Sequence, residues 1–325
     1  MKAMILTTLG DADVLQLAER PIPTIVPGHL LIKVAASSVN PLDTMLRSAD
    51  TPWSANLPEI LHGDVAGTIV EVGAGVSGFD VGDAVYGCAG GIAGINGALA
   101  EYMLVDADLM AHKPQRLSMA EAAALPLVAI TAWEALHQKL RIGAGDRVLV
   151  HGATGGVGHI AVQLAKQAGA IVSTTCRPAT LAHATHLGAD HVIDVSQESV
   201  ADYVTRCTNG VGFDAVFDTI AGDNINNSFE AVRRNGAVAT TLPIADPLPI
   251  TLKSLSFHGV LMLLPMIHGE GRANHGQILR QVAELVDADK LTPLIDPNRF
   301  GLWQAGDAHR HLQSGQAVGK VVLTA

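Results

Sequence analysis

The stretch Val148-Leu149-Val150-His151-Gly152-Ala153-Thr154-Gly155-Gly156-Val157-Gly158 restricts this chain more than any other. An unbroken apolar run, a glycine-rich turn and a helical pattern follow one another, which reads as a buried strand entering a helix through a tight bend. Glycines let main-chain N–H groups come close to a pyrophosphate, and the positive end of the following helix dipole favours its charge. The same turn could serve packing alone; the strand-turn-helix context is what points to a dinucleotide. The alternation continues with Ile171 to Thr174, a helix after Pro178, His191 to Ile193, a helix near Ser199, Ala215 to Asp218, a helix near Phe229 and Ala237 to Thr240. Such a repeat implies a parallel sheet covered on both faces. Just upstream, helical periodicity runs from Ser118 through Leu140, with Ser118 and Glu121 spaced as a capping box.

A site for the non-phosphorylated cofactor would carry an acidic residue about 20 positions beyond the glycines, to bind the ribose 2′-hydroxyl. Here the strand runs into Thr174-Thr175-Cys176-Arg177 with no carboxylate. A guanidinium suits a 2′-phosphate, with threonine hydroxyls as further donors. NADPH is therefore the expected cofactor, and Thr174, Thr175 and Arg177 are its expected contacts. The alternative reading makes Arg177 a solvated residue before Pro178.

Residues 1 to 120 have a different texture. Short β-branched stretches, Leu30 to Val34, Ala66 to Val72 and Ala84 to Tyr86, sit between turn clusters and suggest a compact β-barrel-like unit. The tail after residue 262 ends in the strand-like Lys320-Val321-Val322-Leu323 and is expected to pack back on that unit. With 325 residues the chain is long for a single core, and 48% apolar against 16% charged residues excludes a disordered polypeptide. A formal charge of −10 with no basic run repels a phosphate backbone, so nucleic acid is not an expected partner. Cys88, Cys176 and Cys207 are too few and scattered for a disulfide framework, and suit a reducing compartment. No apolar run approaches the roughly 20 residues of a membrane span, and the amino end does not look like a leader; a cytoplasmic protein with no membrane partner is expected.

Several blocks, in this order, give the chain a resemblance over essentially its whole length. They are Ser38-Val39-Asn40-Pro41-Leu42-Asp43, Gly63-Asp64-Val65-Ala66-Gly67-Thr68-Ile69-Val70-Glu71-Val72-Gly73, Val81-Gly82-Asp83-Ala84-Val85-Tyr86-Gly87, Gly97-Ala98-Leu99-Ala100-Glu101-Tyr102, Leu127-Val128-Ala129-Ile130-Thr131-Ala132-Trp133, the glycine turn and Gly319-Lys320-Val321-Val322. In these the chain resembles the zinc-independent quinone oxidoreductase branch of the medium-chain dehydrogenase/reductases. The resemblance implies an α/β chain. A GroES-like β-barrel catalytic domain would comprise residues 1–120 and 262–325, a Rossmann doubly wound parallel sheet residues 121–261, and the active cleft would lie between them. It implies that Asn40 and Asp43 match an Asn-x-x-Asp motif beside the nicotinamide and that Thr131 matches a threonine of the linking helix. Gly155, Gly156 and Val157 would hold the pyrophosphate, Thr219 would face the cofactor, and Leu242 and Pro243 would flank the nicotinamide ribose.

Zinc-dependent relatives carry a cysteine ligand where this chain has Asn40. Their Gly-His-Glu corresponds here to His62-Gly63-Asp64, with the histidine out of position, and only Cys88 falls where their structural lobe needs four cysteines. No metal is expected. His62 is kept as a candidate catalytic residue, although packing or indirect hydrogen bonding is the preferred reading; His309 and His311 read as a solvated face. Met45 replaces a frequent tyrosine of the family, and Thr180 and Val195 stand where a lysine and a tyrosine often hold the 2′-phosphate, which leaves that grip to Arg177. Without a Lewis acid the expected acceptors are quinones and α,β-unsaturated carbonyls, whose conjugation spreads the developing negative charge. A zinc-free alcohol or ketone reductase and a non-catalytic NADPH-binding sensor are the alternatives. The apolar run Gly259 to Leu264 is too apolar for an exposed strand, and by the resemblance a sheet edge there would join a homodimer; burial within one chain is the alternative.

Overall fold

The computed structural model describes residues 1–325. The chain forms two compact units, one from Met1–Ile130, Leu263–Asp289 and Pro293–Ala325, the other from Thr131–Met262 and Lys290–Thr292.

The first unit is organised around the strand His29–Val39, eleven residues long. Asp64–Val72 lines one of its edges; along the other, Tyr102–Asp106 takes His29–Lys33 and the carboxyl-terminal strand Val321–Thr324 takes Ala36–Val39, all antiparallel. The register against Asp64–Val72 slips between Leu31 and Ile32 and again between Val34 and Ala36, and such bulges bend a ladder. At the second slip the backbones come so close that a Cβ on Gly67 would collide with the Lys33 carbonyl oxygen. Ala84–Cys88 and Met110–His112 extend the sheet beyond Asp64–Val72. The tail is thus a strand of the amino-terminal β unit.

The second unit holds a six-stranded sheet, Arg147–His151, Ile171–Cys176, His191–Asp194, Phe213–Asp218, Val232–Thr240 and Ser256–Gly259. Its spatial order is third, second, first, fourth, fifth, sixth, and every pairing is parallel. The order reverses between the first and fourth strands, whose last residues, His151 and Asp218, lie side by side. Ligands of doubly wound sheets bind outside the carboxyl ends at that crossover point. Leu149, Ile193, Phe213, Val216, Phe229, Val232 and Val238 pack in its core.

Two expectations need correction. The helix expected from Ser118 to Leu140 is divided into Met119–Ala123, Pro126–Trp133 and a π-helical turn Glu134–Lys139. The Ser118–Glu121 capping box is present, but Pro126 has no N–H to continue the ladder and its ring disfavours a helical residue before it. The apolar run at 259–264 is not a strand. The strand is Ser256–Gly259, and Val260, Met262 and Leu263 turn inward, each 4% exposed, ahead of the short helix Leu264–His268. No helix is long and apolar enough to cross a membrane.

Candidate functional site

The glycine turn sits where the first strand of the parallel sheet ends. Gly152 adopts φ +81°, a conformation that suits glycine, and a Cβ on Gly158 would strike the Gly152 carbonyl oxygen, so turn and helix touch backbone to backbone. The helix Gly156–Gln167 begins after Gly155, and no side chain caps it. Gly155 is exposed, and Gly156 and Val157 are half-buried. An uncapped first turn of main-chain amides at the positive end of a helix dipole is the chemistry that a pyrophosphate requires, and these residues fit it.

The turn is held from below by Thr175. Its carbonyl accepts from the amides of Gly152 and Ala153 at 3.1 and 3.0 Å, and its hydroxyl oxygen accepts from Gly152 at 3.2 Å and lies 3.1 Å from His151 Nδ1. Thr174 donates its hydroxyl to the Val150 carbonyl at 2.7 Å and is wholly buried. The expectation that both threonines help grip a 2′-phosphate is therefore corrected: Thr174 gives its only proton to the sheet, and Thr175, 1% exposed, has its hydroxyl enclosed between the Gly152 amide and the His151 ring. Arg177 is exposed directly after that strand. Thr219 follows the fourth strand and donates to the His151 carbonyl at 2.6 Å, tying the two strand ends together. Leu242 and Pro243 are exposed just past the fifth strand, and Thr131 is buried in the helix Pro126–Trp133. His151 is buried and has no partner at Nε2; burial lowers its pKa to about 4 despite the nearby Asp218 carboxylate, so it is neutral.

The first unit holds a second constellation. Asn40 is the N-cap of the helix Pro41–Ser48, and its main-chain N–H donates to Asp43 at 2.7 Å. Its side-chain amide donates to Asp64 Oδ2 at 2.8 Å, and its Oδ1 accepts from Lys320 Nζ at 2.5 Å. Asp64 also accepts from Ser38 Oγ at 2.8 Å and from the Leu127 amide at 2.7 Å, and Lys320 lies 3.4 Å from it. Lys320 gives a further hydrogen bond to the Val39 carbonyl. Neither member of the Asp64–Lys320 pair exceeds 2% exposure. Two buried charges are tolerable here because nearly every donor and acceptor has a partner. Asp43 lacks a cation in hydrogen-bond reach; burial raises its pKa to about 7, against the pull of the Asn40 amide.

His62 lies wholly inside this unit, with Nδ1 3.2 Å from Ser37 Oγ and Nε2 2.8 Å from His309 Nε2. Two expectations fall here. His62 has no free ring nitrogen and no exposure, so it cannot exchange a proton directly with a substrate. His309 is not on a solvated face: it is 0% exposed and accepts from Arg47 Nε at 3.2 Å, and its neighbour His311 pairs with Asp296 at 3.0 Å. Sequence reasoning did not single out Asp64, Lys320, Ser37 or Arg47. Gly63-Asp64 and Gly319-Lys320 stand in the quoted blocks, but nothing local links positions 256 residues apart.

The residues present do not form a zinc site. No three His, Cys, Asp or Glu side chains are arranged to hold a metal ion. Asp64 is occupied by hydrogen bonds, and His62 and His309 bond each other.

A model described as the alcohol dehydrogenase GroES-like domain matches residues 26–115, and one described as zinc-binding dehydrogenase matches residues 187–323. A 2-methylene-furan-3-one reductase of Solanum lycopersicum is 34% identical over 336 residues, covering 99% of this chain and 79% of that protein. A chloroplastic NADPH-dependent alkenal/one oxidoreductase of Arabidopsis thaliana is 32% identical over 337 residues, with the same coverage of both chains. The crystal structure of a quinone oxidoreductase from Coxiella burnetii superposes with a TM-score of 0.85 at 32% identity, covering 100% of this chain and 99% of that one.

Proposed function

The chain belongs to the medium-chain dehydrogenase/reductase superfamily and is an NAD(P)H-dependent oxidoreductase, and from that premise we propose that it transfers hydride from NADPH, without zinc, to a quinone or to the β-carbon of an α,β-unsaturated carbonyl. The observation that carries the reading is the uncapped glycine turn at the sheet crossover, followed at the end of the next strand by exposed Arg177 where an acid would serve NADH. When bound, a dihydronicotinamide would supply the hydride, and the acceptor's oxygen would take up the developing negative charge. Gly155, Gly156 and Val157 offer amides to the pyrophosphate, and Arg177 faces the 2′-phosphate. Asn40 and Asp43 orient the nicotinamide and acceptor, Thr131 and Thr219 contact the cofactor, and Leu242 and Pro243 flank its ribose. A donor set unfit for zinc favours conjugated acceptors, which delocalise charge that a metal would otherwise have to stabilise. The enone reductions named for the two plant relatives and the quinone named for the Coxiella burnetii protein support the same class.

The proposal includes a cytoplasmic homodimer joined along the unpaired edge of Ser256–Gly259. Its mass in dilute solution tests that: a single-chain mass would refute it. For the activity, absorbance of NADPH and of NADH is followed with quinones, enones and simple ketones. Faster oxidation of NADPH with the conjugated acceptors is expected. Preference for simple ketones, or no acceptor-dependent oxidation at all, would overturn the reading.

A further inference from the structure

We propose that His309 is a positioning residue for this reaction, holding His62 in one tautomer through a hydrogen-bond chain whose direction is set at both ends, and through His62 the start of the strand that carries Asp64. Its bearing on hydride transfer rests on the functional reading above; the tautomer assignment does not.

The direction follows from groups that have no choice. Arg47 Nε can only donate, so His309 Nδ1, 3.2 Å away, must be a bare acceptor. His309 is then neutral with its proton on Nε2, which it donates to His62 Nε2 at 2.8 Å. From the far end, the Asp64 carbonyl can only accept, and it takes the Ser37 hydroxyl proton at 2.7 Å. Ser37 Oγ therefore accepts from His62 Nδ1–H at 3.2 Å. Both ends independently require the same arrangement: His309 protonated at Nε2, His62 at Nδ1. The rings are inclined by only 14° with centroids 5.1 Å apart, the geometry of two imidazoles joined nitrogen to nitrogen nearly in plane.

Burial keeps both rings neutral. Ser37, His62 and His309 are 0% exposed and Arg47 is 1% exposed. Burial and then the Arg47 charge lower the pKa of His309 to about 3, while burial, His309 and Lys320 hold His62 well below the ordinary histidine value. A chain that begins at a guanidinium and ends at a carbonyl cannot pass a proton along, so its work is to hold. What it holds is a turn: His62 has φ +71°, unusual for a residue with a side chain. Two residues on, Asp64 gathers Ser38, Asn40, Leu127 and Lys320.

Nitrogen-15 spectra of the full chain at neutral pH test the assignment, with His309→Asn and His309→Gln as the variants. Asparagine can accept from Arg47 but stops short of His62; glutamine reaches His62 with an N–H. The wild type is expected to show neutral His62 with its proton on Nδ1 and neutral His309 with its proton on Nε2. His309→Gln is expected to keep the His62 tautomer and roughly wild-type kcat. In His309→Asn the Ser37 end still fixes the proton on His62 Nδ1, but Nε2 loses its donor, so its nitrogen-15 resonance moves and the ring is no longer held; kcat falls about tenfold with KM for NADPH unchanged, the order that one buried hydrogen bond supports. The reversed tautomers, or a cationic ring, overturn the proposal. A folded His309→Asn with wild-type kcat overturns the positioning role. A wild type with the assigned tautomers but no hydride transfer to any acceptor instead sinks the functional reading, and the role in the reaction with it.

Discussion

Lys320 reaches 280 positions back along the chain to donate its ammonium to the side-chain oxygen of Asn40 at 2.5 Å. The tail strand Val321–Thr324 makes this possible, because its pairing with Ala36–Val39 brings the residue before it onto the turn that follows His29–Val39. The carboxyl terminus thus supplies the charge against which Asp64 and Asn40 are arranged.

Removing that charge strands a buried carboxylate. Lys320→Met is expected to lose about 3–5 kcal/mol of stability, the usual cost of deleting one partner of a buried ion pair. A second change, Asp64→Asn, is expected to recover part of the loss. Urea unfolding of the wild type, both single variants and the double variant measures this; additive losses would contradict the pairing.

If Arg177 grips the 2′-phosphate, Arg177→Ala raises KM for NADPH and leaves KM for NADH alone. A charge-assisted hydrogen bond is worth about 1.5–3 kcal/mol, so a rise of roughly ten- to a hundredfold is expected. Equal effects on both cofactors would return Arg177 to the status of a solvated loop residue.

Gly158→Ala places a methyl against the Gly152 carbonyl. Overpacking of this kind costs about 1–3 kcal/mol, and because the clash lies within the turn, cofactor affinity falls too. Calorimetry should show a lowered Tm and weaker NADPH binding. Wild-type values for both would mean that the turn has slack its geometry does not suggest.

Asp43 makes stability depend on pH. Its folded pKa, about 7, lies above the unfolded value of about 3.9. The folded state therefore holds a proton that the unfolded chain releases first. This contribution is complete below about pH 4 and is lost as pH rises through 7, at up to about 1.4 kcal/mol per pH unit. Asp43→Asn removes the titration, so its stability relative to wild type should rise between about pH 4 and 7 and level off above that. Parallel curves for the two proteins in chemical denaturation would show that Asp43 is ionised throughout.

The parallel sheet and, in the other unit, the helix start at Ser118 were readable residue by residue because their signals are local. The apolar run Val148 to Val150, the four glycines after it and the Ser118–Glu121 spacing each act within a few bonds, so pattern and propensity suffice. The misjudged features depend on company. Thr174 and Thr175 look like free hydroxyl donors until neighbouring strands claim them. The Val260–Leu263 run reads the same whether it faces a partner or its own core.

Composition and spacing alone established the doubly wound sheet, the dinucleotide turn, and the absence of an acid where Arg177 stands. The three-dimensional arrangement alone decided that His309, Arg47, Ser37, Asp64 and Lys320 meet around His62 and Asn40. Hydrogen bonds between residues up to 281 positions apart leave no periodicity to read. Polar residues such as these become legible only when burial takes away their water and obliges each to find a partner.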